Sequence, residues 1–205
     1  GNTKSTTSTI DDLKHCVDLK TTSSFRREIS AGIDRILEAV TGASGLAEQN
    51  LREFLQKDDP SSATLFDSFC SGKFSHARIC AHSQGNIITC NALNAFVALK
   101  GRAAIANMKV YAFGSPVTFW SDANDIVQKH EFSNDAITWM AINRSSGTGV
   151  QAHGAKQMGV GWKTLAESEV PKSRNPFSVN PVNLLTHSYF LYLQQLWDAI
   201  MAEFQ

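Results

Sequence analysis

The sequence predicts an α/β fold, a three-layer sandwich of helices around a small, mostly parallel sheet, and three observations predict it. A short apolar run from Ala77 to Ala81 turns at His82-Ser83-Gln84-Gly85 and continues at helical spacing through Ile88, Ala92, Ala95 and Leu99. A second apolar run, Val110 to Phe113, follows that helix and ends in Gly114-Ser115-Pro116, so strand, helix and strand alternate. The chain closes with an amphipathic helix over about 183–204, marked by Tyr189, Phe190, Leu193, Leu196, Trp197 and Ile200. A length of 205 residues fits one domain, 1–205, with a sizeable core.

The remaining elements follow in order. Residues 1–24 are rich in Ser and Thr and read as a loop or tail. Residues 25–41 read as a helix with Ile29, Ile33, Ile36, Leu37 and Val40 on its apolar face and Ser24 as its cap. A second helix covers about 45–57, with Leu46, Leu51, Phe54 and Leu55 on one side, and Asp58-Asp59-Pro60 ends it. A third starts near Ser61 or Ser62 and carries Leu65, Phe66 and Phe69 up to Gly72. No strand is legible between these helices. Gly101 closes the central helix. Ser121 to Gln128 reads as a short helix capped by Ser121, Lys129 to Phe132 as an extended run, and Ile137 to Ile142 as a third strand. Residues 144–181 are punctuated by Gly and Pro and read as a long loop, a candidate lid or an ordinary surface excursion.

Composition excludes several classes. Nineteen Lys plus Arg balance nineteen Asp plus Glu, so the chain carries no electrostatic footprint for nucleic acid and no basic run for an anionic membrane. No apolar window is long enough for a transmembrane segment, and the polar opening from Asn2 to Thr9 has no signal-peptide character. Cys16, Cys70, Cys80 and Cys90 lack metal-ligand spacing, so no cofactor and no structural metal are expected. Cys80 and Cys90 read as small core residues, and free thiols suit a reducing compartment, although a secreted or delivered bacterial protein would look the same.

A serine at the apex of a strand–turn–helix is the geometry of a nucleophile elbow. The hydroxyl is a poor nucleophile without a base, and the sharp turn exposes it to a histidine from another loop. Crowding in the turn calls for small neighbours, here Ala81 and Gly85, so the pattern is A-H-S-Q-G rather than G-x-S-x-G. The backbone N–H of Gln84, at the start of the following helix, then faces the developing oxyanion. This stretch resembles the elbow of the α/β-hydrolase superfamily, and His82 is similar to the histidine of the lipase pattern G-H-S-x-G. Met108 to Pro116 resembles the strand and F-G-x-P turn that follow the elbow helix in fungal-type (class 3) lipases. The resemblance covers about residues 77–140 and, with fewer matching positions, 183–193. It implies a strand upstream of the elbow that 1–76 does not supply, so the sheet is expected to be truncated there. It also implies a second oxyanion donor on an early loop, which Gly1-Asn2-Thr3 would suit.

The superfamily runs Ser, then Asp or Glu, then His. His15, His76, His82 and His130 fail that order, which leaves His153 in the Gly-rich loop and His187 at the start of the last helix. His187 is preferred because Thr186-His187-Ser188-Tyr189-Phe190 resembles the lipase segment that carries the base. Asp122, Asp125 and Asp135 are the acid candidates. Asp135 is preferred because Asn134-Asp135-Ala136-Ile137 resembles the acid segment of fungal-type lipases, and Asp122 matches an alternative position. The expected activity is that of a serine ester hydrolase acting on a lipid or acyl ester, with Ser83, Asp135 and His187 as triad and transient contact with a membrane surface. An acyltransferase or thioesterase would use the same residues, and a catalytically silent interaction scaffold would keep the fold without the chemistry.

Overall fold

Alternate residues of the strand Lys109–Phe113 point into two different cores, and that alternation layers the molecule. In the computed structural model, which describes residues 19–39, 44–117, 120–132, 135, 156–157 and 187–202, this strand is β2 of one parallel sheet. It pairs with β1 (Arg78–His82) and β3 (Val127–Glu131), and β3 pairs in turn with the two-residue β4 (Lys156–Gln157), in the order β1-β2-β3-β4 with every pair parallel. Val110 and Ala112 enter a core with α1 (Leu19–Ala39), α2 (Ser44–Asp58), α3 (Pro60–Cys70) and α4 (Gln84–Lys100). Tyr111 and Phe113 enter a second core with Phe132 and with Tyr192, Leu196 and Ile200 of α5 (Tyr189–Met201). A period of two residues makes this separation unavoidable once helices cover both faces.

Sheet register then decides where chemistry can be placed. His82 pairs with Phe113, and Phe113 with His130, so the carboxyl ends of β1, β2 and β3 lie level. The segments that leave them, at Ser83, at Gly114 and towards Asp135, emerge at one end of the sheet. Parallel sheets with helical crossovers place their ligand sites at that end.

The early helices are longer or differently bounded than the sequence suggests. α1 begins at Leu19, so Ser24 lies inside it rather than capping it. Ser and Thr cost only a few tenths of a kcal/mol each in a helix, and no Gly or Pro intervenes to stop it. Gly32 of α1 lets Phe54 of α2 sit against the backbone, where a Cβ would collide with the ring. The Ser121 segment is a 3-10 helix, Ser121–Ile126, preceded by Trp120, and Ser121 has φ +50 instead of a capping conformation. β3 takes over at Val127, two residues before the expected extended run. Cys80 is exposed, not a core residue. It shares the His82 face of β1, and β1 is an edge of the sheet among the described residues. Cys70 is half-buried and Cys90 fully buried, and neither forms a disulfide among the described residues. Within residues 144–181 the described pair Lys156–Gln157 forms β4, and the rest of that stretch, the candidate lid included, lies outside the described residues. So do Gly1-Asn2-Thr3 and the expected strand Ile137–Ile142. No described strand precedes β1, and no described helix is long and apolar enough to cross a membrane.

Asp59 ties α3 to the central helix α4. It caps α3 ahead of Pro60, accepting from the Ser62 N–H at 3.3 Å and from the Ser62 hydroxyl, and it accepts from Asn91 Nδ2 at 3.1 Å. Ser62 and Asn91 are buried; losing the carboxylate removes the cap and takes an acceptor from Asn91 Nδ2, while the Ser62 hydroxyl keeps the Ile88 carbonyl at 3.1 Å. Asp59→Ala is expected to lower unfolding stability by roughly 2–3 kcal/mol in urea, from the summed cost of a lost cap and of the buried Asn91 donor left unsatisfied. A loss below about 0.5 kcal/mol would show that Asp59 is only a solvated cap.

Candidate active site

The turn after β1 holds its serine in a conformation that serine does not choose. Ser83 has φ 53 and ψ −124, a left-handed region costing roughly 1–3 kcal/mol unless its surroundings impose it. Here they do. The Ser83 N–H donates to the Phe113 carbonyl at 3.2 Å. The Ser83 carbonyl accepts from the Asn86 N–H at 3.0 Å and from Asn86 Nδ2 at 3.2 Å, and Nδ2 also donates to the Phe113 carbonyl at 3.1 Å. Asn86 is fully buried, so it clamps the elbow to the end of β2. Gln84 is the first residue of α4, where N–H groups have no acceptor within the helix and the dipole favours negative charge. The crowding expected at Gly85 does not show among the described residues, none of which a Cβ there would meet within 4 Å. The crowding falls on Gly114 instead.

Gly114 follows β2 with φ +49, and a Cβ on it would lie 2.8 Å from Asp135 Oδ2 and 2.9 Å from His187 Nδ1 and Cε1. Its bare backbone is the floor on which an acid–base pair rests. Asp135, 1% exposed, lies 2.8 and 3.0 Å through its two oxygens from His187 Nδ1. A carboxylate only accepts, so Nδ1 carries the proton and Nε2 of a neutral ring presents its lone pair. Nε2 is buried and has no hydrogen-bond partner among the described residues. The Tyr192 hydroxyl donates to Asp135 Oδ2 at 2.6 Å while accepting from the Phe132 N–H at 3.2 Å. Burial alone would push the Asp135 carboxyl up, but the His187 charge and the hydrogen bonds from His187 and Tyr192 hold it below the usual carboxylate value. Burial, then the Asp135 charge, pushes the Tyr192 phenol well above its ordinary value, so it stays a donor.

Of the acid candidates, Asp135 is the one hydrogen-bonded to His187. Asp122 and Asp125 are exposed on the 3-10 helix, and Asp125 pairs with Arg102 at 2.5 Å. His153 lies outside the described residues. His187 occupies a turn two residues before α5 rather than the helix itself. Sequence reasoning missed Tyr192, whose only signal was helical spacing, and Asn86, which reads as an ordinary first-turn residue. It also missed Glu131, 3% exposed, whose Oε2 has no partner among the described residues. Burial, then the Asp135 charge, pushes the Glu131 carboxyl up to about 8 against the opposing Lys129 charge.

Two outcomes follow from these contacts. Gly114→Ala is expected to separate Asp135 from His187 and to lower stability by about 1–3 kcal/mol, through overpacking and a left-handed φ. Unchanged thermal unfolding would show that the floor can yield. For Glu131 the sign is set by proton binding. Between the ordinary carboxyl value of about 4.3 and the folded value of about 8, the native state holds a proton that the unfolded chain has released. Stability contributed by this group therefore falls as pH rises across that window. Glu131→Gln is expected to raise the urea midpoint relative to wild type more at pH 8 than at pH 5; equal effects at both would mean that Glu131 is charged in the fold.

Among the described residues no cluster of His, Cys, Asp and Glu is arranged to hold a metal ion. No family model, no curated protein and no solved structure matches the chain, so the chemistry of the site is argued from its geometry.

Proposed function

We propose that the chain is a serine ester hydrolase of α/β-hydrolase type, acting on a lipid or acyl ester through an acyl-enzyme on Ser83. The observation that carries this reading is the buried Asp135–His187 hydrogen bond, with His187 Nε2 bonded to no described residue, Ser83 included, at the end of the sheet where the strained Ser83 turn emerges. A parallel sheet with helices on both faces supports the same reading at the level of fold.

In the proposed reaction, Ser83 Oγ attacks the acyl carbonyl as His187 Nε2 takes its proton. Asp135 stabilises the imidazolium and keeps it oriented, without itself becoming protonated. The oxyanion of the tetrahedral intermediate takes a hydrogen bond from the Gln84 N–H, strengthened by the α4 terminus. Collapse of the intermediate breaks the C–O bond, and the imidazolium proton goes to the leaving alcohol. Water, deprotonated by His187, then attacks the acyl-enzyme and releases the carboxylic acid and free Ser83. The Tyr192 hydroxyl holds one Asp135 oxygen throughout, so the carboxylate cannot rotate away from Nδ1.

Hydrolysis of p-nitrophenyl esters of graded chain length tests the reading. Ser83→Ala and His187→Ala are expected to abolish turnover, Asp135→Asn to lower kcat by roughly 10⁴-fold, and Asp122→Ala and His153→Ala to leave it intact. A fluorophosphonate probe is expected to label wild type and not Ser83→Ala. Wild type with neither Ser83-dependent turnover nor labelling would sink the proposal.

A further inference from the structure

His82 takes no part in the reaction just described, yet it touches the base in two ways. It is the last residue of β1, covalently next to Ser83, with its ring on the α5 side of the sheet. Its Nε2 lies 2.7 Å from the main-chain carbonyl oxygen of His187, 105 residues away in sequence. A carbonyl only accepts, so Nε2 carries the proton. Its ring also packs on the His187 imidazole, with centroids 4.6 Å apart and planes inclined by 35°. Tyr189 and Tyr192 close around it, at 5.6 and 6.0 Å between centroids.

We propose that His82 is the positioning residue of the base, tethering the His187 backbone to the nucleophile strand through its Nε2–H. The inference rests on the reading of Ser83 and His187 as nucleophile and base. Its physical ground is that His187 lies in a turn, outside α5, so no helical hydrogen-bond ladder fixes its main chain. Asp135 holds the imidazole at Nδ1, and His82 holds the backbone that carries it. With both attachments in place, the distance from the base to Ser83 is set by a single residue of β1. The tether must also stay uncharged, because an imidazolium at this distance would oppose the positive charge that His187 acquires. Burial, then the His187 charge, pushes His82 down to about 3, while the Asp135 charge and the bond to the His187 carbonyl oppose this only in part. A neutral His82 ring donates through Nε2–H without placing a second positive charge beside His187.

The test compares wild type, Ser83→Ala, His82→Phe, His82→Gln and His82→Asn in the full chain. Phe keeps a ring and loses the donor, Gln keeps a donor of similar reach, and Asn carries a donor too short for the carbonyl. Each variant is first checked for cooperative thermal unfolding, and Asn replaces Phe as the donorless case if Phe does not fold. With a soluble p-nitrophenyl ester, the donorless variant is expected to lose roughly 10- to 100-fold in kcat with KM within twofold, the scale of a misplaced catalytic group. Gln is expected to recover most of that loss. In proton NMR, the low-field His187 Nδ1 resonance is expected to broaden by exchange in the donorless variant and to stay sharp in Gln. A donorless variant with wild-type kcat and a sharp resonance overturns the proposal, as does a Gln variant no better than Phe. If wild type shows no Ser83-dependent turnover, the esterase reading fails by itself. The resonance then decides the tether: broadening in the donorless variant alone upholds it, and a sharp signal in every variant refutes it.

Discussion

The hydrogen bond between buried Asp135 and His187 Nδ1 is the constraint on which the rest of the site depends. A carboxylate excluded from water is costly unless its oxygens are occupied, and here His187 reaches both while Tyr192 donates to one. Satisfying that charge dictates what surrounds it. The residue beneath must lack a side chain, which Gly114 does. The residue above must supply a hydroxyl, and Tyr192 of α5 does so while satisfying the Phe132 N–H at the end of β3. Asp135 is thus linked to the sheet, to the last helix and to His187 at once.

The parallel sheet makes this convergence geometrically cheap. Level carboxyl ends bring Ser83, Gly114 and the segment leading to Asp135 to one place, although Ser83 and Asp135 are far apart in the chain. Cross-links between those ends are polar: buried Asn86 bridges the β1 turn to β2, and half-buried His82 joins β1 to the His187 turn. Each bond here acts between segments distant in sequence, so the site forms only when the sheet does. This is the opposite of the α3 cap, where Asp59 and Ser62 meet within one turn before reaching across to Asn91.

Several features of this end of the sheet work against stability. Ser83 has a positive φ without being glycine, and Glu131 and Asp135 both bury a carboxyl group there. In the opposite layer Leu51, Leu55, Phe66 and Leu93 are completely buried in apolar surroundings. Strain and buried charge concentrated at one end, over a well-packed helical layer, form the pattern expected where a fold supports a site rather than only itself.

The sequence by itself determined the elbow, because its evidence is local: an apolar run, a turn and a helical period within about two dozen residues. It also marked β2 and the order of the early helices, since apolar periodicity survives without tertiary information. It named Asp135 and His187, but left each beside a rival because spacing cannot measure distance across a fold. The tertiary structure decided which acid touches the histidine, and why: Asp135 follows β3 at the level of Gly114, whereas Asp122 and Asp125 lie exposed on a 3-10 helix before that strand begins. It alone revealed Tyr192, Asn86 and Glu131, whose roles are fixed by partners far away in the chain. It also moved Cys80 from core to surface, because whether a strand residue is buried depends on what covers that part of its face, and no pattern within the strand records it.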